Sequence, residues 1–190
     1  MAIMEILIYP HPFLRVKAAA VTEIDDEIRS LAADMFETMY AARGIGLAAT
    51  QVGADRRLIV LDVPAGDDEG GKGGPGANAM AVVNPEIVEA RGSIKSEEGC
   101  LSVPGETAEV RRAERVRLRG LDLDGNEIDM EADGLLAVAL QHEVDHLDGV
   151  VFIDRLSRLR RDMIKRRLKK RAAEGGRAQR PGAEASADER

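Results

Sequence analysis

The segment "ADGLLAVALQHEVDHLDGVVF", residues 132–152, constrains this chain more than any other. Leu135, Val138, Ala139, His142, Glu143 and His146 recur at helical spacing and share one face, while Leu136, Leu140 and Leu147 make a second apolar side. A helix apolar over so much of its circumference has to be buried, so the rest of the chain must wrap it. Asp133 is placed to start this helix and Gly149 to stop it. Two histidines and a glutamate therefore continue a stripe that points into the protein. Buried imidazoles without partners are costly, so something must satisfy them.

Residues i and i+4 of a helix lie one above the other, so His142 and His146 can reach a single metal ion. Glu143 is rotated about 100° from His142, near such an ion yet able to avoid ligating it. A carboxylate there can take a proton from water and pass it to a leaving group. The alternative is a pair of hydrogen-bonded core histidines. Two histidines do not complete a catalytic metal site, however. Zinc peptidases with this motif often take a third ligand from further along the chain, but no histidine follows His146. Asp148, Asp154 and Asp162 have no evident ligand context. Upstream lies "EEGCLSVPG", with Cys100 forty-two residues before His142. A single cysteine taken alone reads as an inert buried residue. Beside Gly99 and a metal helix it becomes the candidate thiolate ligand, and one position would stay open for water. The remaining histidine, His11, reads as a loop residue between prolines.

The surrounding pattern suggests an α+β domain with small mixed or antiparallel sheets packed around the central helix. "MEILIYP" reads as a first short strand. Residues 25–42 read as a helix burying Ile28, Leu31, Ala32, Met35, Phe36 and Met39. "RRLIVLDV", "MAVVNPEIVEA" and "RVRLRGLDLDGNEIDMEA" read as strands, with a hairpin turn at Asp124-Gly125. Six glycines between Gly66 and Gly76 suggest a mobile loop, with none of the residues of a phosphate-binding loop. One catalytic domain spans 1–171, including a basic helix at about 154–171, and residues 172–190 have the composition of a disordered tail.

Three motifs together resemble peptide deformylase: "GIGLAATQ" at 44–51, "EGCLS" at 98–102 and "QHEVDH" at 141–146. The resemblance runs from about Ile6 to Leu168 and points to the bacterial type with a helical C-terminus. It implies removal of the formyl group from the N-terminal formyl-methionine of new polypeptides, with release of formate. It implies Cys100, His142 and His146 as ligands of one divalent metal. Ferrous iron is the usual native ion, and zinc, nickel or cobalt can replace it. Glu143 becomes the general acid/base. The Gln51 amide and the Leu101 backbone N–H become the donors for the developing oxyanion, which needs donors already in place. Gly46 and Gly99 become backbone contacts for a peptide bound like an added strand. Ile45, Leu135, Val138 and Ala139 line a pocket for the methionine side chain. Ser96 and Thr107 depart from the family, which often has an aliphatic residue at the first position and in several members an Arg at the second. Glu98 and Arg112 read as a structural, buried ion pair. Two rivals are weaker. A peptidase cutting internal bonds usually needs a downstream ligand, and a silent ribosome-associated relative would have lost Cys100, Gln51 or Glu143.

The net charge of −7 hides an asymmetry. Arg155 to Arg171 holds ten Lys or Arg against one acid, Asp162, whereas residues 1–154 carry −15. Leu156, Leu159, Met163 and Leu168 read as one apolar side of this basic helix. Clustered cations suit nucleic acid. The resemblance implies docking on the large ribosomal subunit near the tunnel exit. A lone cysteine excludes an internal disulfide and suits a reducing compartment. No basic residue precedes Arg15 and no apolar run reaches membrane-helix length. The expectation is a cytoplasmic monomer without membrane contact.

Overall fold

The structure, a computed structural model, describes residues 2–64 and 76–173. Three helices are α1 (Asp26–Ala41), α2 (Gly134–Leu147) and α3 (Arg158–Ala173). Seven strands are β1 (Gly46–Ala48), β2 (Leu58–Asp62), β3 (Ala79–Arg91), β4 (Ile94–Gly99), β5 (Thr107–Arg112), β6 (Arg115–Leu121) and β7 (Glu127–Asp133). One antiparallel sheet has the order β1-β2-β3-β6-β7, and β4 pairs with β5 in a separate antiparallel hairpin.

The sequence of β2 shows why α1 and α2 sit on opposite faces. "LIVL" is buried throughout. Ile59 and Leu61 join Ala137, Ala139, Leu140 and Leu147 of α2, while Leu58 and Val60 join Ala32, Met35 and Met39 of α1. Side chains of a strand alternate faces, so a continuous apolar run needs a cover on each. A third cluster joins Val103 and Val110 to Phe152, Ile153, Leu156, Ile164 and Leu168.

The ends of the helices follow from single residues. Asp25 accepts the Ile28 N–H at 2.9 Å and caps α1. At the end of α2, Gly149 donates to His146 O at 3.1 Å and Val150 to Asp145 O at 2.9 Å, a Schellman closure. Gly149 has φ 73°, and a Cβ there would lie 2.6 Å from Arg15 O, so only glycine fits. Asp133 precedes α2 as expected, but its side chain makes no capping bond.

Two readings need correction. Residues 2–8 form no strand. Leu7 N–H donates to Gln51 O and Tyr9 N–H to Ser102 O, both at 2.8 Å, so this stretch bonds to two different segments and joins no ladder. In α3, Leu159 and Met163 are exposed (73% and 48%), and Ile164 packs beside Leu168 instead. Arg167 and Arg171 both bind buried Glu106, which sets the rotation of the helix. The glycine-rich stretch at 65–75 and the tail beyond 173 lie outside the described residues.

The β4–β5 hairpin is locked to α2 by buried charge. Arg112 on β5 donates to Glu98 through Nε (2.6 Å) and a terminal nitrogen (2.8 Å), and to Asp145 of α2 (2.5 Å). Arg155 closes on the same Asp145. The Arg112 and Glu98 side chains are 1% and 4% exposed. Burial alone would raise Glu98, but Arg112 and His142 outweigh it and hold the carboxyl at about 2. A depressed carboxylate stabilises the fold above its ordinary value of 4.5, and that contribution fades as pH falls toward 2. Arg112→Met, which leaves buried carboxylates unpaired, should lose about 3–5 kcal/mol at pH 7. Urea unfolding of metal-free protein should show the gap to wild type narrowing as pH falls from 4.5 toward 2; a gap independent of pH would remove Glu98 from this role.

Candidate active site

Three segments meet above the middle of α2. β4 ends at Gly99, and Cys100 O then accepts the Val103 N–H at 2.9 Å, a tight turn that presents the thiol. Cys100 Sγ lies 3.1 Å from His146 Nε2. His142 turns Nδ1 to Glu98 Oε2 at 2.8 Å, which leaves its Nε2 for the site. Ligand atoms of Cys100, His142 and His146 all lie within 4.8 Å of one another. One sulfur and two imidazole nitrogens at that spacing suit a single transition-metal ion, whose bonds to such ligands run about 2.0–2.3 Å. A carboxylate fixing the second nitrogen of a histidine is the usual support for such a ligand.

The electrostatics favour a cation. Burial would lower His142, yet hydrogen bonds to Cys100 and Glu98 hold it well above its ordinary range. Burial and the neighbouring His142 push His146 well below it, so His146 stays neutral with a lone pair available. Burial pushes Glu143 up to about 7. Glu143 Oε2 and His146 Nδ1 are buried without a hydrogen-bond partner among the described residues.

The remaining predicted residues gather around this cluster. A Cβ on Gly46 would lie 2.4 Å from Glu143 Oε1, so glycine here gives the carboxylate its room. Gln51 closes the first turn of a short 3-10 helix, Ala49–Val52. Its Oε1 accepts the Ala48 N–H at 2.8 Å, and its Nε2 faces Cys100 Sγ at 3.6 Å. Leu101 follows the cysteine within the same turn. Gly99 is exposed and pairs with Thr107 at the end of the hairpin. Val138 and Ala139 are buried, Ala139 within the core under the sheet, whereas Ile45 and Leu135 remain 38% and 50% exposed. Ser96 is half-buried, and the Thr107 hydroxyl donates to Glu97 at 2.9 Å.

Some contacts were not foreseen. The pairing of Glu98 with Arg112 is legible from the sequence, but the bond from Glu98 to His142 is not. Asp145 is a third member of that ion cluster; a carboxylate on a buried helix was the available signal. Thr50 donates to His146 O at 3.1 Å, and Gln51 Nε2 donates to Ser102 Oγ at 3.1 Å. Neither had a signal beyond lying inside a motif.

Comparison with known proteins agrees with this geometry. Residues 3–162 match the polypeptide deformylase family model. A peptide deformylase of Alkalilimnicola ehrlichii is 50% identical over 175 residues, covering 92% of this chain and 94% of that one. One from Syntrophobacter fumaroxidans is 51% identical over 174 residues, covering 92% and 98%. The crystal structure of a Legionella pneumophila peptide deformylase superposes with a TM-score of 0.82 at 44% identity, over 93% of this chain and 99% of that one. That of the Ehrlichia chaffeensis enzyme in complex with actinonin gives 0.81 at 42% identity, over 90% and 98%. The cysteine sulfur, the two imidazoles and the flanking Gln and Glu thus sit in a chain matched nearly end to end, and that chain belongs to the peptide deformylase family.

Proposed function

We propose that Cys100, His142 and His146 hold one divalent ion, natively ferrous iron, and that Glu143 moves the proton in the family reaction, removal of the N-terminal formyl group from nascent peptides. The observation that carries this is the convergence of three donor atoms beside a buried carboxylate with a partnerless oxygen. When bound, the ion supplies Lewis acidity that makes water nucleophilic at neutral pH.

Glu143 takes the proton of the attacking water and returns it to the departing nitrogen. A carboxyl held near 7 suits both transfers. Negative charge grows on the formyl oxygen, where Gln51 Nε2 and the Leu101 backbone N–H stabilise it. Sheet order supports a peptide bound like an added strand. Among the described residues β1 is an edge strand of the large sheet and β4 pairs with β5 alone, so each has an edge without a second ladder partner. A substrate strand laid against Gly46 and Gly99 gains main-chain hydrogen bonds from both. Ile45 and Leu135 supply exposed apolar surface for the methionine side chain, and the pocket continues to Val138 and Ala139, buried on the same helix as Leu135.

α3 is read as a docking element for the large ribosomal subunit near the tunnel exit, on an enzyme that works as a cytoplasmic monomer. Arg160, Arg166 and Lys169 are exposed, with Leu159 and Met163 between them. No helix among the described residues is long and apolar enough to cross a membrane.

Glu143→Gln should keep its metal, measured by elemental analysis, while formate release from a formyl-Met peptide drops by at least about a hundredfold. Near-normal turnover would take Glu143 out of the proton transfer. Cys100→Ser should lose metal at a chelator concentration that leaves the wild type loaded; equal retention would count against thiolate ligation. Replacing Arg160, Arg166 and Lys169 by Gln should weaken ribosome binding and flatten its salt dependence by about one unit of slope per lost phosphate contact. Short-peptide activity should not change, and an unaltered salt slope would sink the ribosome reading.

A further inference from the structure

Gln51 is an unusual side chain to find ordered by three groups at once. Its Oε1 accepts the Ala48 backbone N–H at 2.8 Å. That N–H can only donate, so it decides which end of the amide is oxygen. The amide nitrogen is thereby turned the other way, toward Cys100 Sγ at 3.6 Å and Ser102 Oγ at 3.1 Å. Gln51 is 1% exposed and Ser102 0%, so neither bond competes with bulk water.

The backbones of the two residues are tied as well. Leu7 N–H donates to Gln51 O and Tyr9 N–H to Ser102 O, each at 2.8 Å. Two positions of one N-terminal segment thus set the spacing between the "GIGLAATQ" and "EGCLS" stretches. The Gln51 nitrogen carries two hydrogens about 120° apart in the amide plane. When one is committed to Ser102, the direction of the other is fixed.

We propose that Ser102 is a positioning residue for the reaction: its Oγ accepts one Gln51 N–H and so holds the second on the Cys100 side, where it faces the sulfur at 3.6 Å and turns to the formyl oxygen when substrate binds beside it. This rests on the reading of Gln51 as an oxyanion donor. A donor held in place before the reaction loses no energy to reorientation as charge develops. Without the Ser102 oxygen the nitrogen end of the amide keeps only the longer contact to Cys100 Sγ at 3.6 Å, and the direction of its N–H groups is held less firmly.

The test is a cycle of metal-loaded Ser102→Ala, Gln51→Leu and the double variant, each with its metal content measured. Ser102→Ala should lower kcat about tenfold, the scale of one lost hydrogen bond, with KM and metal content unchanged. Gln51→Leu should lower kcat by about 10²–10³. In the Gln51→Leu background, adding Ser102→Ala should change kcat less than about twofold, since the residue it positions is gone. An equal drop in both backgrounds would mean a merely structural role and overturn the proposal. So would unchanged kcat in Ser102→Ala beside a crippled Gln51→Leu. Unimpaired turnover in Gln51→Leu would instead overturn the oxyanion reading beneath it. A second readout needs no activity. In metal-free wild type, the Gln51 side-chain amide protons, identified by their absence in Gln51→Leu, should exchange slowly with solvent. Faster exchange and a shifted signal in Ser102→Ala support the inference, and rapid exchange in the wild type refutes it.

Discussion

The Arg112 guanidinium is the point on which this structure turns. It is taken almost wholly out of water, a costly step that only close anionic partners can offset. Glu98 meets it with both oxygens and Asp145 with one. Those partners come from the two elements that must meet: Glu98 from β4, two residues before Cys100, and Asp145 from α2, between the two histidines. Satisfying the arginine therefore brings the hairpin onto the helix at one register. Glu98 Oε2 also binds His142 Nδ1, so the carboxylate that secures the hairpin also orients the His142 ring.

Around this anchor the site is assembled by close approach. Gly46 brings a strand edge against Glu143 with no side chain between them. The Ala48 N–H, one residue before the 3-10 turn, orients the Gln51 amide. Glutamine at the third position of that turn reaches back to the preceding backbone, the same geometry that caps longer helices. Among the described residues β1 is an edge strand of one sheet and β4 belongs to the other, and both lie next to the cluster.

Charge separates the two ends of the molecule. The acidic body carries the chemistry, while α3 gathers the cations. Glu106 joins them, a buried carboxylate bound by Arg167 and Arg171 just beyond the turn that carries Cys100. The cationic face of α3 therefore rests on the loop that follows Cys100. Arg160, Arg166 and Lys169 remain exposed to solvent.

Much of this was legible in the residues. Hydrophobic periodicity located α1, β2, β3, β6, β7 and α2, because each buries a face whose spacing is a property of the local backbone. The pairing of Cys100 with the two histidines was also within reach, since a metal site needs a third ligand and the chain offers few. Unpaired short segments were not: "MEILIYP" alternates like a strand but bonds to two partners in turn. The apolar side of α3 was misplaced because a helix this rich in cations gives little periodic signal, and Glu106 on another segment set its rotation. By itself, then, the sequence determined the helices, most strands of the large sheet and which residue types can bind a metal. Only the tertiary structure decided that Arg112 joins hairpin to helix, that Glu98 orients His142, and that Ser102 meets Gln51. Those are contacts between segments far apart in the chain, and their partners are chosen by geometry that no local pattern encodes.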